Sequence, residues 1–258
     1  MLTEVKGLVI RSVDIKESDR LITIFTEQMG AITALARGAR SLKSRHMSST
    51  MQFCYSSFVL YTRGDKIYVR EAELIESFFN IRNSIESVAL ASYVAEVLSD
   101  VTVSEPENEL LRLALNSLYA ISTGKYEIEK IKAAFEIRTS AILGFMPEVI
   151  ACHSCGGRTG DFYFDIMGGF IECAECQRER AEAGIDTAPM HESRIISLLS
   201  EGAKTALCYC IYSPLEKLFS FNLGKEDMKL FAVATEKYFI NQMERSYKTL
   251  DFYKEVKR

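Results

Sequence analysis

Three histidines in 258 residues leave this chain few groups for general acid–base work near neutral pH. Phosphate-binding loops are missing as well: Gly224-Lys225 has neither the upstream glycine nor the following Ser or Thr of a P-loop. No G-x-G-x-x-G and no G-x-S-x-G occurs, which removes the dinucleotide fingerprint and the hydrolase nucleophile elbow. There is no charged-then-apolar N-terminal signal pattern, and no run of about eighteen apolar residues to span a membrane. Residues 88–98 (VALASYVAEVL) come nearest, and Ser92, Tyr93 and Glu96 mark them as a helix packed on protein. Acidic residues are absent from one long window, Gln28 to Gly64, which holds Arg37, Arg40, Lys43, Arg45 and Arg63.

That window matters more than the overall charge. The chain carries a net −4, which by itself speaks against a nucleic-acid partner. Residues 1–80 hold eleven Lys/Arg against nine Asp/Glu, a net +2, so residues 81–258 carry −6. With 48% hydrophobic and 26% charged residues the chain has the composition of a globular protein able to bury a core. Its length suits two or three small domains.

Four of the seven cysteines form two Cys-x-x-Cys pairs, Cys152/Cys155 and Cys173/Cys176, with seventeen residues between them. Each pair fits a tight turn that aims both sulfurs at one ion, and four thiolates suit tetrahedral zinc. Two disulfides or four unrelated buried thiols are the alternatives, but an odd cysteine count with four in metal spacing points to a reducing cytosol. Asp161, Gly168 and Gly169 supply turns. The alternating Phe162, Phe164 and Ile166, then Phe170 and Ile171, predict a hairpin of two short strands beneath the metal. A four-Cys shell is closed, so the zinc is expected to be structural rather than catalytic. His153 is followed by Ser154 and Cys155, not by the x-Glu of zinc deaminases. Cys54, Cys208 and Cys210 read as small apolar core residues.

Ahead of the cysteines, residues 3–13, 21–26, 31–36, 53–62 and 66–74 are short β-branched or aromatic runs. The last two are joined at Arg63-Gly64-Asp65, a hairpin signal. Five short strands suit an OB-fold, whose sheet and loops bind oligonucleotides; an SH3-like barrel fits the pattern almost as well. Residues 37–46 (RGARSLKSRH) link the third strand to the fourth and read as a mobile cationic loop able to follow a phosphate backbone. Phe53, Tyr55, Tyr61 and Tyr68 offer stacking faces beside it, of which one or two are expected to meet bases. Asp14, Glu17 and Asp19 are acidic enough to hold a catalytic metal, but mixed with Lys16 and Arg20 they read as a turn.

From about residue 80 the apolar period lengthens to that of a helix. Helices are predicted from 81 to 98, over 107–121 and over 128–143, then, after the zinc segment at 150–178, over 191–200 and 225–248. His191 and Glu192 mark a helix start. The reading is an α+β chain: a barrel over 1–80, then a helical domain over 81–258 into which the zinc segment is inserted.

As a set, these residues resemble the RecO family of bacterial repair and recombination mediators. The likeness runs through Gly7-Leu8-Val9-Ile10-Arg11, Glu17-Ser18-Asp19-Arg20-Leu21, Phe25-Thr26-Glu27, Gly30, Ala36-Arg37-Gly38-Ala39-Arg40 and Ser44-Arg45. It continues through Gly144-Phe145-Met146-Pro147 before Cys152 and Cys155, and ends in Arg245-Ser246-Tyr247-Lys248-Thr249-Leu250. The resemblance implies an OB-fold followed by a helical domain with a zinc motif. It implies a protein that binds single- and double-stranded DNA, anneals complementary strands, acts with RecR, and helps load RecA onto strands coated by single-strand-binding protein (SSB). It places the contact with the acidic SSB tail in the helical domain, where Lys130, Lys132 and Arg138 are candidates by charge alone. A cytoplasmic, nucleoid-associated location follows.

On this reading the protein is not an enzyme. Arg37, Arg40, Lys43 and Arg45, supported by Arg11, Arg20 and Arg63, would neutralise phosphates. Two other classes stay open at this point: a zinc-dependent enzyme acting on nucleic acid, and a protein-interaction scaffold without direct DNA contact, which the −6 of residues 81–258 favours.

Overall fold

The computed structural model describes residues 2–41, 43–101, 108–183 and 194–257. Contacts group the chain into two compact units, Met1–Ile128 with Tyr247–Arg258, and Glu129–Ser246. The expected division at residue 80 falls after the last barrel strand, which ends at Glu76, whereas the first unit continues through the helices that follow and takes in the C-terminal helix.

In the first unit, β1 (Leu2–Ile15), β2 (Asp19–Thr26), β3 (Gly30–Ala36), β4 (Tyr55–Arg63) and β5 (Lys66–Glu76) form a closed barrel in the order β1-β2-β3-β5-β4. β3 and β5 pair in parallel, Ala34 with Ile67 and Leu35 with Tyr68, while every other pair is antiparallel. This arrangement is OB-like and settles the choice against the SH3-like alternative. Alternate residues fill the interior: Val5, Val9, Ile22, Ile24, Ala34, Ala36, Phe58, Leu60 and Val69, with Ala39 from the following loop. Gly7 is required where β1 crosses β2, since a Cβ there would lie 2.5 Å from Ile24 Cγ2 and 2.8 Å from the Phe25 carbonyl oxygen.

Among the described residues this unit is completed by a 3-10 helix at Phe79–Asn83, by α1 (Ile85–Asp100) and α2 (Asn108–Thr123) and, after the second unit, by the C-terminal helix at Lys248–Val256. Ser84 caps α1 by accepting the Ser87 N–H. The C-terminal helix returns to α1: Tyr247 meets Tyr93 edge to face at 5.6 Å, and the Thr249 N–H and hydroxyl both donate to Glu96. The Tyr247–Leu250 part of the C-terminal signature is therefore a packing signature, with Tyr247, Leu250 and Tyr253 all buried.

The second unit contains α3 (Ile128–Ile142), the hairpin β6 (Phe162–Asp165) and β7 (Phe170–Cys173), α4 (Ala174–Glu182), β8 (Ile196–Leu199), α5 (Glu201–Tyr212) and α6 (Lys225–Met243). The C-terminal helix of the first unit is then α7. The sheet order is β7-β6-β8. Two expectations are corrected here. Ile196–Leu199 is a strand, not part of a helix, because β6 offers it a hydrogen-bonding edge and buries Ser197 and Leu199; the predicted start at 191–193 lies outside the described residues. The predicted helix 225–248 is two helices, broken where Glu244 takes a left-handed conformation with φ 50°. The helices α4 and α5 were not anticipated.

α3 carries a buried charge cluster. Lys132 Nζ lies 2.9 Å from Glu136 and 2.7 Å from Glu236, and Glu136 also accepts from Thr235. Burial opposes the lysine charge, but the two carboxylates outweigh it and raise its pKa. Replacing Lys132 with Ala leaves a buried carboxylate without its cation, a loss of about 3–5 kcal/mol. Urea denaturation of the Lys132→Ala variant is expected to show a correspondingly lower midpoint; an unchanged midpoint would mean the cluster contributes nothing.

Candidate metal centre and candidate nucleic-acid face

The four predicted ligands come together in the second unit. The Sγ atoms of Cys152, Cys155, Cys173 and Cys176 all lie within 4.8 Å of one another, with Cys155 and Cys173 at 3.7 Å. A tetrahedral ion with metal–sulfur bonds of about 2.3 Å requires sulfur–sulfur edges of about 3.8 Å. A disulfide needs about 2.05 Å, and all four cysteines are free. The donor set therefore fits a tetrahedral, thiophilic metal ion.

Backbone geometry explains the convergence. The first pair sits on a turn in which the Gly156 N–H donates to the Cys152 carbonyl and the Cys152 N–H to that of Gly157, with Gly156 at φ +74°. The His153 N–H donates to the Ile171 carbonyl, which ties this turn to β7. Cys173 is both the last residue of β7 and the N-cap of α4, so the second pair lies at a helix N-terminus that favours anionic sulfur. Beneath, Phe162, Phe164, Ile166 and Ile171 are fully buried, as the predicted hairpin requires.

The thiols share protons unevenly. Burial disfavours the Cys152 thiolate, but N–H groups of Cys155, Cys173 and Ser154 outweigh it and hold the pKa down to about 6. At Cys155 the Gly157 N–H favours the anion, yet contacts with the neighbouring sulfurs win and raise the pKa. Cys176 is raised by its hydrogen bonds to Cys173 and Cys155. His153 is engaged elsewhere, 3.1 Å from Glu148 and stacked on Phe170. A polar network missed from sequence braces the site: buried Glu172 accepts from Ser154, Arg180 and Arg194, and Arg194 also binds Asp165 at 2.7 Å. Desolvation of Glu172 is outweighed by these bonds, so its pKa is lowered.

In the barrel unit the seven basic candidates divide. Arg20 is a strap: it pairs with Asp14 at 3.1 Å and donates to the Met47 carbonyl and the Thr50 hydroxyl, with 13% of its side chain exposed. Arg40 also pairs with Asp14, at 3.2 Å, and donates to the Lys16 and Glu17 carbonyls. Asp19 accepts the Gly38 N–H, and Ala39 is buried in the barrel core. The loop expected to be mobile is thus pinned to the β1–β2 hairpin. Asp14, which in sequence read as part of a turn, clamps it. Arg11, Arg37, Lys43, Arg45 and Arg63 are exposed, with no carboxylate partner among the described residues. Of the four aromatics, Phe53 is buried and Tyr55 donates to Glu27 at 2.6 Å, whereas Tyr61 and Tyr68 stack on the outer face. In the second unit Lys130 and Arg138 donate to main-chain carbonyls of Phe221, Cys210 and Ile211, and Lys132 is buried, so all three candidates for an acidic tail serve the fold. Among the described residues no helix is long and apolar enough to cross a membrane.

Metal binding here must displace protons, so affinity is expected to rise with pH. Competition with a chromophoric chelator should show zinc held more tightly at pH 8 than at pH 6. Cys173→Ser should lose the ion by elemental analysis, and a full metal content in that variant would disprove the four-sulfur site.

Comparison with known proteins agrees with this architecture. The family model for the N-terminal part of recombination protein O matches residues 1–78, and that for its C-terminal part matches residues 82–192. The DNA repair protein RecO of Acetivibrio thermocellus is 34% identical over 254 residues, covering 98% of this chain and 96% of that one. The protein of the same name from Clostridium kluyveri is 31% identical over 86% of this chain and 81% of its own length. That of Caldicellulosiruptor saccharolyticus is 29% identical over 98% of both. The chain belongs to the RecO family of DNA repair proteins.

Proposed function

We propose that this protein is a non-enzymatic mediator of DNA repair and recombination that binds single- and double-stranded DNA on its barrel unit and anneals complementary strands. The observation that carries the reading is the set Arg37, Lys43 and Arg45: three exposed cations on a loop whose backbone is fixed by Asp19, Ala39 and Asp14. Cations on an anchored loop can follow phosphates without ordering a floppy segment first. Arg11 and Arg63 extend the charge over the barrel surface. Arg20 and Arg40 act mainly by holding the loop in place. Phosphate contacts screen two strands while leaving base edges free, which is what annealing requires.

The ion held by Cys152, Cys155, Cys173 and Cys176 is, on this reading, one structural zinc. It would take the place of the shared protons among the thiols and lock the β6–β7 hairpin to α4. Family membership supports action with RecR, loading of RecA onto SSB-coated strands, and a cytoplasmic, nucleoid-associated location. The site for the acidic SSB tail is not assigned to Lys130, Lys132 or Arg138, which are used internally.

Fluorescence anisotropy with a labelled single-stranded oligonucleotide across a salt series tests the reading. Wild type is expected to bind with a steep salt dependence. Arg37→Ala/Lys43→Ala/Arg45→Ala should weaken binding and flatten the log–log salt slope by about 2, at roughly 0.7 per lost phosphate contact. Its thermal midpoint should stay unchanged, while Arg20→Ala should lower that midpoint. Affinity and slope that both survive the triple substitution would overturn the loop assignment.

A further inference from the structure

Barrel register aligns six outward-facing residues in a continuous row, two from β1 and one from each of the other strands. Leu2 pairs with Tyr61, Tyr61 with Tyr68, Tyr68 with Leu35, Leu35 with Leu21, and Leu21 with Val13. The interior of the same strands is filled by other residues, so these side chains project to the outside. Soluble barrels place polar groups there; six apolar partners in register form a band that asks for an occupant.

The middle of the row is built as a stack. Tyr61 and Tyr68 lie with ring centroids 5.2 Å apart and planes 17° from parallel. The Arg37 guanidinium sits 4.8 Å from the Tyr68 centroid. Because β5 lies between β3 and β4, Arg37, two residues beyond Leu35, approaches from the side away from Tyr61. The order is therefore guanidinium, Tyr68, Tyr61. Tyr68 is filled on both faces and only 8% exposed. Tyr61 is half-buried, and its only ring contact among the described residues is Tyr68. Its register partner on β1, Leu2, is 52% exposed.

The two edges of the row differ in charge. Toward the β4–β5 hairpin, the next outward residues on β4 and β5 are Arg63 and Lys66, both exposed, with Asp65 in the turn beyond and Thr33 next on β3. On the opposite edge Val59 pairs with Glu4 and Glu71. An exposed cationic edge at the hairpin, opposite an edge where Glu4 and Glu71 stand with Arg37 and Arg70, fits a base whose phosphates run along the hairpin side.

We propose that Tyr61 is a base-stacking residue: a nucleotide of single-stranded nucleic acid lays its base on the free face of Tyr61, with its phosphates along Arg63 and Lys66. The inference rests on the DNA-binding reading and deepens it, adding a subsite that selects single strands. In a duplex both faces of every base are already stacked, so double-stranded DNA presents only phosphates to the cationic loop.

The chain contains no tryptophan, so Tyr61→Trp places a single reporter at the site in the full-length protein. Saturating a thymidine oligonucleotide is expected to quench its emission by at least about half, with the same half-saturation as anisotropy of a labelled oligonucleotide; a duplex should bind without quenching. Tyr61→Ala should weaken single-strand affinity on the order of 10-fold with an unchanged salt slope, and Tyr61→Phe should bind like wild type. Should Tyr61→Ala fold poorly, Tyr61→Leu reads the same loss. Binding by anisotropy with no change in tryptophan emission overturns the stacking site while leaving the loop reading intact. Emission that responds to an acidic peptide and not to the oligonucleotide overturns it in favour of a protein partner. A wild-type protein that binds no DNA even at low salt removes the parent reading together with this one.

Discussion

Closure of the barrel through the parallel β3–β5 pair is the constraint on which the nucleic-acid face depends. β4 follows β3 in the chain but lies beyond β5 in the sheet, so the segment from Arg37 to Cys54 must leave β3 and cross to a strand it does not adjoin. A crossing loop that long would be costly to order if its charges were free to roam. Ala39 is therefore inserted into the core, Asp19 takes the Gly38 N–H, and Asp14 receives both Arg20 and Arg40. The same closure sets Leu35 beside Tyr68 and so brings Arg37 over the tyrosine ring. One topological requirement thus fixes the loop and builds the stack.

The metal centre answers a related problem in the second unit by different means. The β6 and β7 strands have four residues each, too short to hold a hairpin without help. Help comes from a third strand, β8, from the Glu172 network, and from the sulfur cluster that ties the Cys152–Gly157 turn to the start of α4. Four thiols this close cannot all ionise without a cation: one is driven toward the thiolate while two of its neighbours are driven away from it. A divalent ion resolves that conflict, which is why the cluster reads as a metal site and not as four core residues.

What sequence alone disclosed follows from how local each signal is. The strands alternate with period two and the ligands recur at x-x spacing, and both are properties of neighbouring residues; so the five strands, the hairpin of Phe162–Phe170 and the four cysteines were legible. The Ile196–Leu199 segment was not, because ISLL in isolation suits a helix as well as a strand and only the edge of β6 decides. The break at Glu244 carries no Gly or Pro to announce it. The division of the arginines was equally hidden. Arg20 and Arg37 look alike in sequence, yet one is absorbed by Asp14 and Thr50 and the other is left on the surface.

That division also resolves the tension between a net negative chain and the proposed DNA-binding face. Charges that matter for phosphate binding are those without a local partner, since a cation already paired must give up that pairing before it gains another. Asp14 engages two arginines of the acid-free window's neighbourhood, and Glu4 and Glu71 stand at the edge of the aromatic row away from the β4–β5 hairpin. The acidic residues near the barrel therefore do not weaken the face so much as confine it: exposed cations remain on the anchored loop to one side of Tyr68 and at the β4–β5 hairpin to the other. On the proposed reading, a strand held by its phosphates on these cations would keep its bases turned toward the tyrosines or toward solvent, where a complementary strand could reach them. Annealing, as proposed, would then require no motion of the protein, only phosphates neutralised on a rigid surface.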